Sequence, residues 1–239
     1  MTESTATPIV ELVDVTKVYP QGAVEVHALR GLTLTVNQGE LVALCGPSGS
    51  GKTTALNLMG ALDRPTGGQV RLEGRNLAEL GGRALSRLRR DRIGFVFQAY
   101  NLMPVLTAYE NAEIVLALRG VPPTERRQRV MGLLHDVGLE GMEDRRPDEL
   151  SGGQQQRVAI ARAIAGEPAV VLADEPTANV DSETAERLLA LMEKLNRERG
   201  VTFIFSTHDA RVMQHARRVV RVVDGRVQDD QTRDSSVTG

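Results

Sequence analysis

A glycine-rich segment follows the apolar run Leu41–Cys45 and reads Gly46-Pro47-Ser48-Gly49-Ser50-Gly51-Lys52-Thr53. It fits the pattern Gly-x-x-x-x-Gly-Lys-(Ser/Thr), and a helical pattern begins at its end. Glycines let the backbone curl so that successive N–H groups point into one concavity, and the helix N-terminus adds positive potential there. The Lys52 ammonium can neutralise phosphate oxygens, and the Thr53 hydroxyl can bind Mg²⁺. A glycine turn without a ligand is the alternative, but the strand–loop–helix context favours a nucleoside-triphosphate site.

The composition excludes several other classes of protein. Of the 239 residues, 41% are hydrophobic and 25% are charged, as in soluble globular domains rather than disordered chains. The net charge of −2 gives no electrostatic reason to expect a nucleic-acid partner. A single cysteine excludes a disulfide framework and a cysteine-based metal cluster. No apolar run approaches the roughly 20 residues of a membrane helix, and residues 1–10 lack a secretory signal pattern, so we expect a cytoplasmic protein.

Strand-like and helix-like patterns alternate along the chain, which predicts an α/β fold with a wound parallel sheet. Strand patterns lie at Val10–Val15, Glu25–Val36, Leu41–Cys45, Gln69–Glu73, Ile93–Phe97, Ala169–Asp174, Val201–Ser206, Arg218–Val223 and Arg226–Gln228. Helical patterns lie at Lys52–Leu62, Thr107–Leu118, Thr124–Val137, Ser151–Ala165, Ser182–Arg199 and Asp209–His215. The stretch from Gln98 to Arg162 is mostly helical and breaks the alternation, so we expect a helical insertion there.

An acidic pair, Asp174-Glu175, ends one of the apolar strand patterns. If that strand lies beside the phosphate loop in a parallel sheet, Asp174 can hold Mg²⁺ directly or through water. Glu175 is then placed to act as general base on the attacking water. Two acids after a strand are also typical of a solvated strand end, and it is the phosphate loop that favours the functional interpretation.

A second candidate anion site reads Leu150-Ser151-Gly152-Gly153-Gln154. At a helix start, a serine hydroxyl, uncovered glycine N–H groups and the positive end of the helix dipole can together bind an anion. An ordinary N-cap formed by Ser151 is the alternative, and this segment taken alone favours it.

These motifs resemble those of the ATP-binding cassette (ABC) ATPases, whose signature is LSGGQ, and the resemblance covers about Ile9 to Asp230. It implies an α/β fold with a P-loop NTPase (RecA-like) core, an antiparallel β subdomain and a helical subdomain. Residues 1–239 would form a single ABC ATP-binding domain. Within it, residues 8–98 and 163–230 would form the catalytic core with its antiparallel β part, residues 99–162 the helical signature subdomain, and residues 231–239 a polar tail.

The resemblance also implies roles for individual residues. The implied catalytic residues are Glu175, His208 and Gln98, and the implied Mg²⁺ ligands are Thr53, Gln98 and Asp174. Tyr19 matches the aromatic residue that stacks on adenine, although a packing role is the alternative. The implied ATP-binding set continues with Gly46, Pro47, Ser48, Gly49, Ser50, Gly51, Lys52, Thr53, Thr54, Ser151, Gly152, Gly153, Gln154 and Asp181. His27, His135 and His215 match no motif and are interpreted as surface or packing residues, and Cys45 as a buried, inert thiol.

Two partners are implied by the resemblance. One is a second copy of the chain, arranged head to tail so that two ATP molecules lie between the phosphate loop of one copy and Ser151-Gly152-Gly153 of the other. The second partner is a separate transmembrane permease that ATP binding and hydrolysis would drive. Absence of long heptad runs, zinc motifs and a second cassette favours transport over the soluble ABC ATPases of DNA repair or translation.

Within the transporters, the segment Phe95–Asn111 resembles the group that contains the lipoprotein-releasing LolD, the macrolide-export MacB and FtsE. Ala61–Gly68 and Pro176–Ser182 are similar to the same group. This implies an FtsX/MacB-like permease, docking near 98–120, and a peripheral position on the cytoplasmic face of the inner membrane. It also implies translocase activity directed at export, lipoprotein release or mechanotransmission. Departures at 178–181 and after Asn111 leave an importer ATPase for amino acids or phosphonates as the alternative.

Arginine-rich stretches at 83–92 and 126–129 admit two interpretations. They can face acidic lipid headgroups or a permease loop, or they can be ordinary solvated helix faces, which is the favoured interpretation.

Overall fold

The structure is a computed structural model that describes residues 8–22 and 24–233. The strands are β1 (Pro8–Gln21), β2 (Val24–Asn37), β3 (Leu41–Cys45), β4 (Gly67–Leu72), β5 (Arg75–Asn76), β6 (Ile93–Val96), β7 (Val170–Asp174), β8 (Phe203–Thr207), β9 (Arg218–Val223) and β10 (Arg226–Thr232). The α-helices are α1 (Lys52–Met59), α2 (Gly82–Arg92), α3 (Ala108–Leu118), α4 (Pro123–Asp136), α5 (Gly152–Ala165), α6 (Ser182–Arg199) and α7 (Ala210–His215). Short 3₁₀ turns occupy Leu77–Glu79 and Pro147–Glu149.

The described strands form two sheets. The larger sheet has the order β10-β9-β3-β8-β7-β6, and its pairs are parallel except for the β9–β10 hairpin. The smaller sheet has the order β2-β1-β4-β5 and is antiparallel throughout. The α/β class, with its parallel sheet and added antiparallel sheet, is therefore confirmed.

Parallel pairing explains why the central strands are continuously apolar. Val42 and Leu44 of β3 face one hydrophobic core, which includes α1, α2 and the smaller sheet. Leu41 of the same strand faces a second core, together with helices α3 to α6. Helices or a second sheet cover both faces, so every position in such a strand is buried.

The parallel arrangement also brings the candidate motifs to one edge of the sheet. Strands β3, β6, β7 and β8 run in the same direction, so their carboxyl ends lie side by side. The phosphate loop follows β3, Gln98 follows β6, Glu175 follows β7 and His208 follows β8. Ligands of open α/β sheets bind at this carboxyl edge.

The structure differs from the sequence patterns in several elements. Helix α2 is absent from the helical patterns given above, although residues 83–92 were interpreted as a solvated helix face; only Leu85 and Leu88 of this arginine-rich segment are buried. Strand β1 extends beyond its predicted bounds through irregular pairing with β2. Strand β10 continues to Thr232 and so includes the first residues of the expected polar tail. Its pairing with β9 continues to that residue, and the Arg218 guanidinium donates hydrogen bonds to the Asp230 carboxylate. Residues 234–239 of that tail lie outside the described residues.

Two further observations bear on the organisation of the chain. The expected boundary between residues 162 and 163 falls inside α5, which runs unbroken to Ala165. Among the helices of the described part of the chain, none is both long enough and apolar enough to cross a membrane.

Candidate functional site

The phosphate loop, residues 46–53, is seated tightly between strands of both sheets. Gly46 has φ +145°, and a Cβ at this position would lie 2.0 Å from the carbonyl oxygen of Val222. Gly51 has φ +102°, and its Cβ would lie 2.5 Å from the carbonyl oxygen of Ala28. Both positions require glycine, because their φ angles are positive and there is no space for a Cβ. The loop is therefore held in one curled conformation by β9 on one side and β2 on the other.

Lys52 begins α1 and is 8% exposed. Its Nζ donates to the carbonyl oxygens of Gly46 (2.8 Å) and Pro47 (2.9 Å) and forms no ion pair within the described residues. An ammonium has three donors, so one N–H of Lys52 remains for a ligand. Ser50, also buried, has a hydroxyl without a hydrogen-bond partner in the described part of the chain. A buried, uncompensated cation beside an unused hydroxyl is suited to binding a phosphate group.

A cavity of about 570 Å³, which we call the phosphate cavity, opens over this loop. It is lined by Ser48, Gly49, Ser50, Gly51, Lys52, Thr53 and Thr54, by Gln98, Glu175, Ala178 and His208, and by Val26, His27 and Ala28. Most of the predicted catalytic and phosphate-binding residues thus meet in one space of the size of a small-molecule site. His27, interpreted from the sequence as a surface or packing residue, is exposed and lines this cavity because β2 runs beside the phosphate loop.

The Asp174 carboxylate lies at the end of β7, next to the phosphate loop. Its Oδ1 accepts hydrogen bonds from the hydroxyls of Thr53 (3.2 Å) and Ser206. The predicted metal ligands Thr53, Gln98 and Asp174 each carry a side-chain oxygen, which is the ligand atom that Mg²⁺ prefers. No cluster of three or more His, Cys, Asp and Glu side chains suited to a metal occurs in the described residues. These residues fit an ion that takes its remaining ligands from phosphate and water.

Glu175 and His208 are in direct contact, which the sequence did not predict. Glu175 has φ +45°, and its Oε1 lies 2.7 Å from Nδ1 of His208. Thr207 donates a second hydrogen bond, of 3.3 Å, to the other carboxylate oxygen. The Glu175 carboxylate is 17% exposed, whereas the His208 ring is 74% exposed. Thr207 at the end of β8 and the adjacent His208 therefore orient the Glu175 carboxylate, while the imidazole remains open to the cavity.

Tyr19, the predicted adenine-stacking residue, is engaged by its neighbours. Its hydroxyl donates to Asp63 (2.8 Å), and the Lys17 ammonium lies 4.7 Å from the ring centroid. Burial and the adjacent Asp63 carboxylate raise the pKa of Tyr19. Burial acts to raise the pKa of Asp63, but hydrogen bonds from Lys17 and Tyr19 outweigh it and lower that pKa. Tyr19 does not line the phosphate cavity, and stacking on adenine stays a prediction.

Residues 151–154 form a helix cap away from the phosphate cavity. The Ser151 hydroxyl accepts from the Gln154 backbone N–H (3.3 Å), and the Ser151 backbone N–H donates to the side-chain oxygen of Gln154 (2.9 Å). Ser151 therefore has the N-cap geometry that was the alternative interpretation of the sequence, and anion binding by residues 151–154 stays a prediction. Gly153 packs against α6, where its Cβ would lie 2.3 Å from Thr184 Cγ2. Asp181 likewise caps α6, and its hydrogen bonds from Thr184 lower the pKa of its carboxyl group. None of these capping groups lines the phosphate cavity.

A family model described as "ABC transporter" matches residues 29–178 of the chain. This match begins in β2 and ends just after Glu175, so it contains the phosphate loop, Gln98, the Ser151 segment and the acidic pair. It ends before His208.

Proteins of known name are similar over most of the chain. The lipoprotein-releasing system ATP-binding protein LolD of Anaeromyxobacter dehalogenans is 50% identical and covers 95% of each chain. The macrolide export ATP-binding/permease protein MacB of Sodalis glossinidius is 46% identical over 96% of this chain, which corresponds to 35% of MacB. A dimeric post-hydrolysis structure of the ATP-binding cassette MJ0796 from Methanocaldococcus jannaschii, bound to ADP and Pi, is 43% identical. It covers 95% of this chain and all of its own, with a TM-score of 0.87.

Proposed function

The chain belongs to the ABC transporter family of ATPases, and on this premise we propose that it is the ATP-hydrolysing subunit that drives a separate membrane permease. The observation that carries the proposal is the meeting of Lys52, Glu175 and His208 in one cavity of small-molecule size at the carboxyl edge of the parallel sheet. Sequence similarity to LolD and MacB supports a role in export, lipoprotein release or mechanotransmission.

In the proposed reaction, a water attacks the γ-phosphorus of ATP while the bond from that phosphorus to the β–γ bridging oxygen breaks, which gives ADP and phosphate. The free N–H of Lys52 and the uncovered N–H groups of the phosphate loop neutralise the phosphate oxygens. Mg²⁺ bound by oxygens of Thr53, Gln98 and Asp174 would add a further positive charge on these oxygens. Glu175 takes the proton of the attacking water, since it is the carboxylate that faces the cavity without an arginine or lysine partner among the described residues.

The contact between Glu175 and His208 gives both residues a defined orientation. Nδ1 of His208 lies against Glu175, which leaves the second ring nitrogen for a phosphate oxygen. The exposure of the imidazole leaves that second nitrogen accessible from the cavity. His208 would thus link the base to the γ-phosphate that the water attacks.

A second copy of the chain is the first proposed partner. Ser151 and its neighbours form a helix N-terminus that lies outside the phosphate cavity of the same chain. A head-to-tail homodimer would place this N-terminus over the γ-phosphate held by the other copy, where the helix dipole and the Ser151 hydroxyl add to the charge stabilisation. The dimeric state of the similar cassette MJ0796 supports this arrangement. Asp181, at the start of α6, would lie in the same interface.

The second proposed partner is the permease, and the candidate surface is a groove between β6 and α3. This docking groove has a volume of about 370 Å³ and is lined by Leu62, Phe97, Val115 and Leu118 together with arginine side chains. Leu62, Leu118 and, on the adjoining loop, Val105 are exposed apolar residues. Apolar side chains exposed together are typical of a protein interface. A permease segment with an apolar face and acidic flanks would complement the groove and its arginine rim.

The remaining parts of the proposal follow from these partners. ATP is available inside the cell, so binding to the permease places the chain on the cytoplasmic face of the membrane. The permease would be of the FtsX/MacB type, and the reaction would be that of a translocase. We expect no nucleic-acid partner. An importer ATPase for amino acids or phosphonates is the alternative within transport, and a non-transport ABC ATPase is the alternative outside it.

Two measurements test the proposal. The purified chain is expected to release phosphate from ATP in the presence of Mg²⁺, and Glu175→Gln is expected to retain ATP binding but lose about 100-fold or more of kcat. Glu73→Gln, whose carboxylate pairs with Arg92 at a distance from the cavity, is the matched control. Purification of the chain from membranes is then expected to recover an integral membrane subunit. Recovery on DNA or ribosomes without a membrane protein would contradict the transport proposal.

A further inference from the structure

The loop after β6 turns through two consecutive residues with left-handed backbone. Tyr100 has φ +58° and Asn101 has φ +50°. Residues other than glycine rarely adopt this conformation, and it persists only where the surroundings hold it. Arg162 of α5 provides that hold, because its guanidinium donates to the carbonyl oxygens of Tyr100 (2.9 Å) and Asn101 (2.6 Å). Arg162 forms no ion pair with any described residue, so both of its described hydrogen bonds serve this turn.

A reciprocal pair of hydrogen bonds joins the same turn to the segment that follows Glu175. The Asn179 side chain donates to the backbone carbonyl of Gln98 (2.8 Å). The Tyr100 hydroxyl donates to the backbone carbonyl of Asn179 (3.0 Å). These two bonds close a ring between the segment that carries Gln98 and the segment 175–181. We call the group formed by Tyr100, Asn179 and Arg162 the loop clamp.

The loop clamp also contacts the N-terminal end of α5. A Cβ on Gly152 would lie 2.7 Å from the Tyr100 hydroxyl, so glycine at this position makes room for the tyrosine. One turn further along α5, the buried Gln156 side chain donates to the carbonyl oxygen of Pro176 (2.6 Å). Three segments therefore meet at the Tyr100 hydroxyl: the Gln98 turn, the segment after Glu175, and the start of α5.

We propose that Tyr100, Asn179 and Arg162 are positioning residues for ATP hydrolysis, which hold Gln98 and Glu175 in register across the phosphate cavity. This inference rests on the proposed function, because it assigns the clamp to the same reaction. None of the three clamp residues lines the phosphate cavity, whereas Gln98 and Glu175 both do. The clamp therefore acts on the geometry of the cavity and not on the nucleotide itself. It also makes the two cavity residues move together when either segment is displaced.

Tyr100→Phe tests the clamp by removing one hydroxyl and leaving the ring in place. We expect kcat for ATP to fall about fivefold, the rate equivalent of one neutral hydrogen bond, while KM changes less than about twofold because the phosphate loop is untouched. Tyr109→Phe is the matched control, since its hydroxyl donates to Glu113 on the helix α3 and not to the clamp. The control is expected to keep the kcat of the unmodified chain.

Asn179→Ala removes the other half of the ring, and the two substitutions form a double-mutant cycle. If the clamp acts as a unit, the loss of kcat in the double variant is smaller than the product of the two single losses. Multiplicative losses would overturn the inference. A reduced unfolding midpoint with unchanged kcat in Tyr100→Phe would also overturn it, because that result describes a purely structural role.

The unmodified chain distinguishes this inference from the function on which it rests. Absence of ATP turnover in the unmodified chain would remove the proposed function. Normal turnover in the unmodified chain, retained in full by Tyr100→Phe, would remove the clamp alone. Arg162→Lys extends the test: it keeps the positive charge but cannot bind two carbonyl oxygens in one plane, so it too is expected to lower kcat about fivefold.

Discussion

Asn111 of α3 is buried, and its side chain binds the loop that leads from the Gln98 turn into α3. Its carbonyl oxygen accepts from the Met103 N–H (2.8 Å), and its amide N–H groups face the carbonyl oxygens of Met103, Leu106 and Thr107 at 3.0–3.1 Å. The amide has two N–H donors, so these contacts amount to three hydrogen bonds. This one side chain therefore holds the loop that carries the exposed Val105 beside the docking groove.

Replacing Asn111 by Leu keeps the side-chain volume and removes all three hydrogen bonds. At about 1 kcal/mol for each bond, and about 1 kcal/mol more for the unpaired Met103 N–H, the free energy of unfolding is expected to fall by about 3–4 kcal/mol. This is a large part of the roughly 5–15 kcal/mol typical of a folded domain. Urea unfolding measures it: with a slope of about 3 kcal/mol per molar urea, the midpoint moves down by about 1 M.

Asn57→Leu on α1 is the matched control for Asn111→Leu. The Asn57 side chain makes no hydrogen bond within the described residues, and both substitutions gain the same small increment of helix propensity. The control is expected to change the free energy of unfolding by less than about 1 kcal/mol. Equal midpoints for the two variants would refute the role given to Asn111.

Two further predictions concern pH and the phosphate loop. Burial opposes protonation of His215, but hydrogen bonds to Glu186 and Glu193 at its two ring nitrogens outweigh this and raise the pKa of His215 above its unfolded value. The stabilisation from His215 is therefore complete below about pH 6.5 and is lost as pH rises through the raised folded pKa. The difference in unfolding midpoint between the unmodified chain and His215→Gln should be largest near pH 6 and should shrink toward about pH 9. A difference that stays constant with pH would contradict the prediction. Replacement of the exposed His135 by Gln is the control. Gly46→Ala is expected to lower the thermal unfolding midpoint more than Gly49→Ala and to abolish binding of a fluorescent ATP analogue. The reason is that a Cβ at Gly46 meets the backbone oxygen of Val222, whereas a Cβ at Gly49 meets nothing within 4 Å. Equal midpoints for the two variants would disprove this.

The motifs on short segments could be predicted because their local context is complete in the sequence. The phosphate loop needs an apolar strand before it and a helix after it, and both patterns are visible at Leu41–Cys45 and from Lys52 onward. The edge of the sheet at which Glu175 and His208 lie follows from the parallel order of strands that such motifs require. Helix α2 was indicated only as the solvated helix face of an arginine-rich stretch, because no more than two of its side chains, Leu85 and Leu88, are buried.

The parts of the site that the sequence did not predict depend on contacts between segments distant in sequence. His27 reaches the cavity only because β2 lies beside the phosphate loop, and no local pattern records that neighbour. The contact of Glu175 with His208 requires the register between β7 and β8. The loop clamp depends on a hydrogen bond from the Tyr100 hydroxyl to the Asn179 backbone carbonyl, across 79 positions of sequence, and on one from the Asn179 amide to the Gln98 carbonyl, across 81. Residues of this kind are common in loops, so their types alone predict nothing.

The central claim is that each ATP site is completed by a second copy of the chain. The most direct test is the mass of Glu175→Gln in solution, measured by sedimentation velocity with ATP, with ADP and without nucleotide. We predict twice the mass of the single chain with ATP and the mass of the single chain with ADP. Ser151→Ala in the same background should weaken the ATP-bound dimer, because it removes a hydroxyl from the proposed interface. The same substitution also removes a helix cap worth about 1 kcal/mol. A Glu175→Gln chain that binds ATP and keeps the mass of a single chain would contradict the claim.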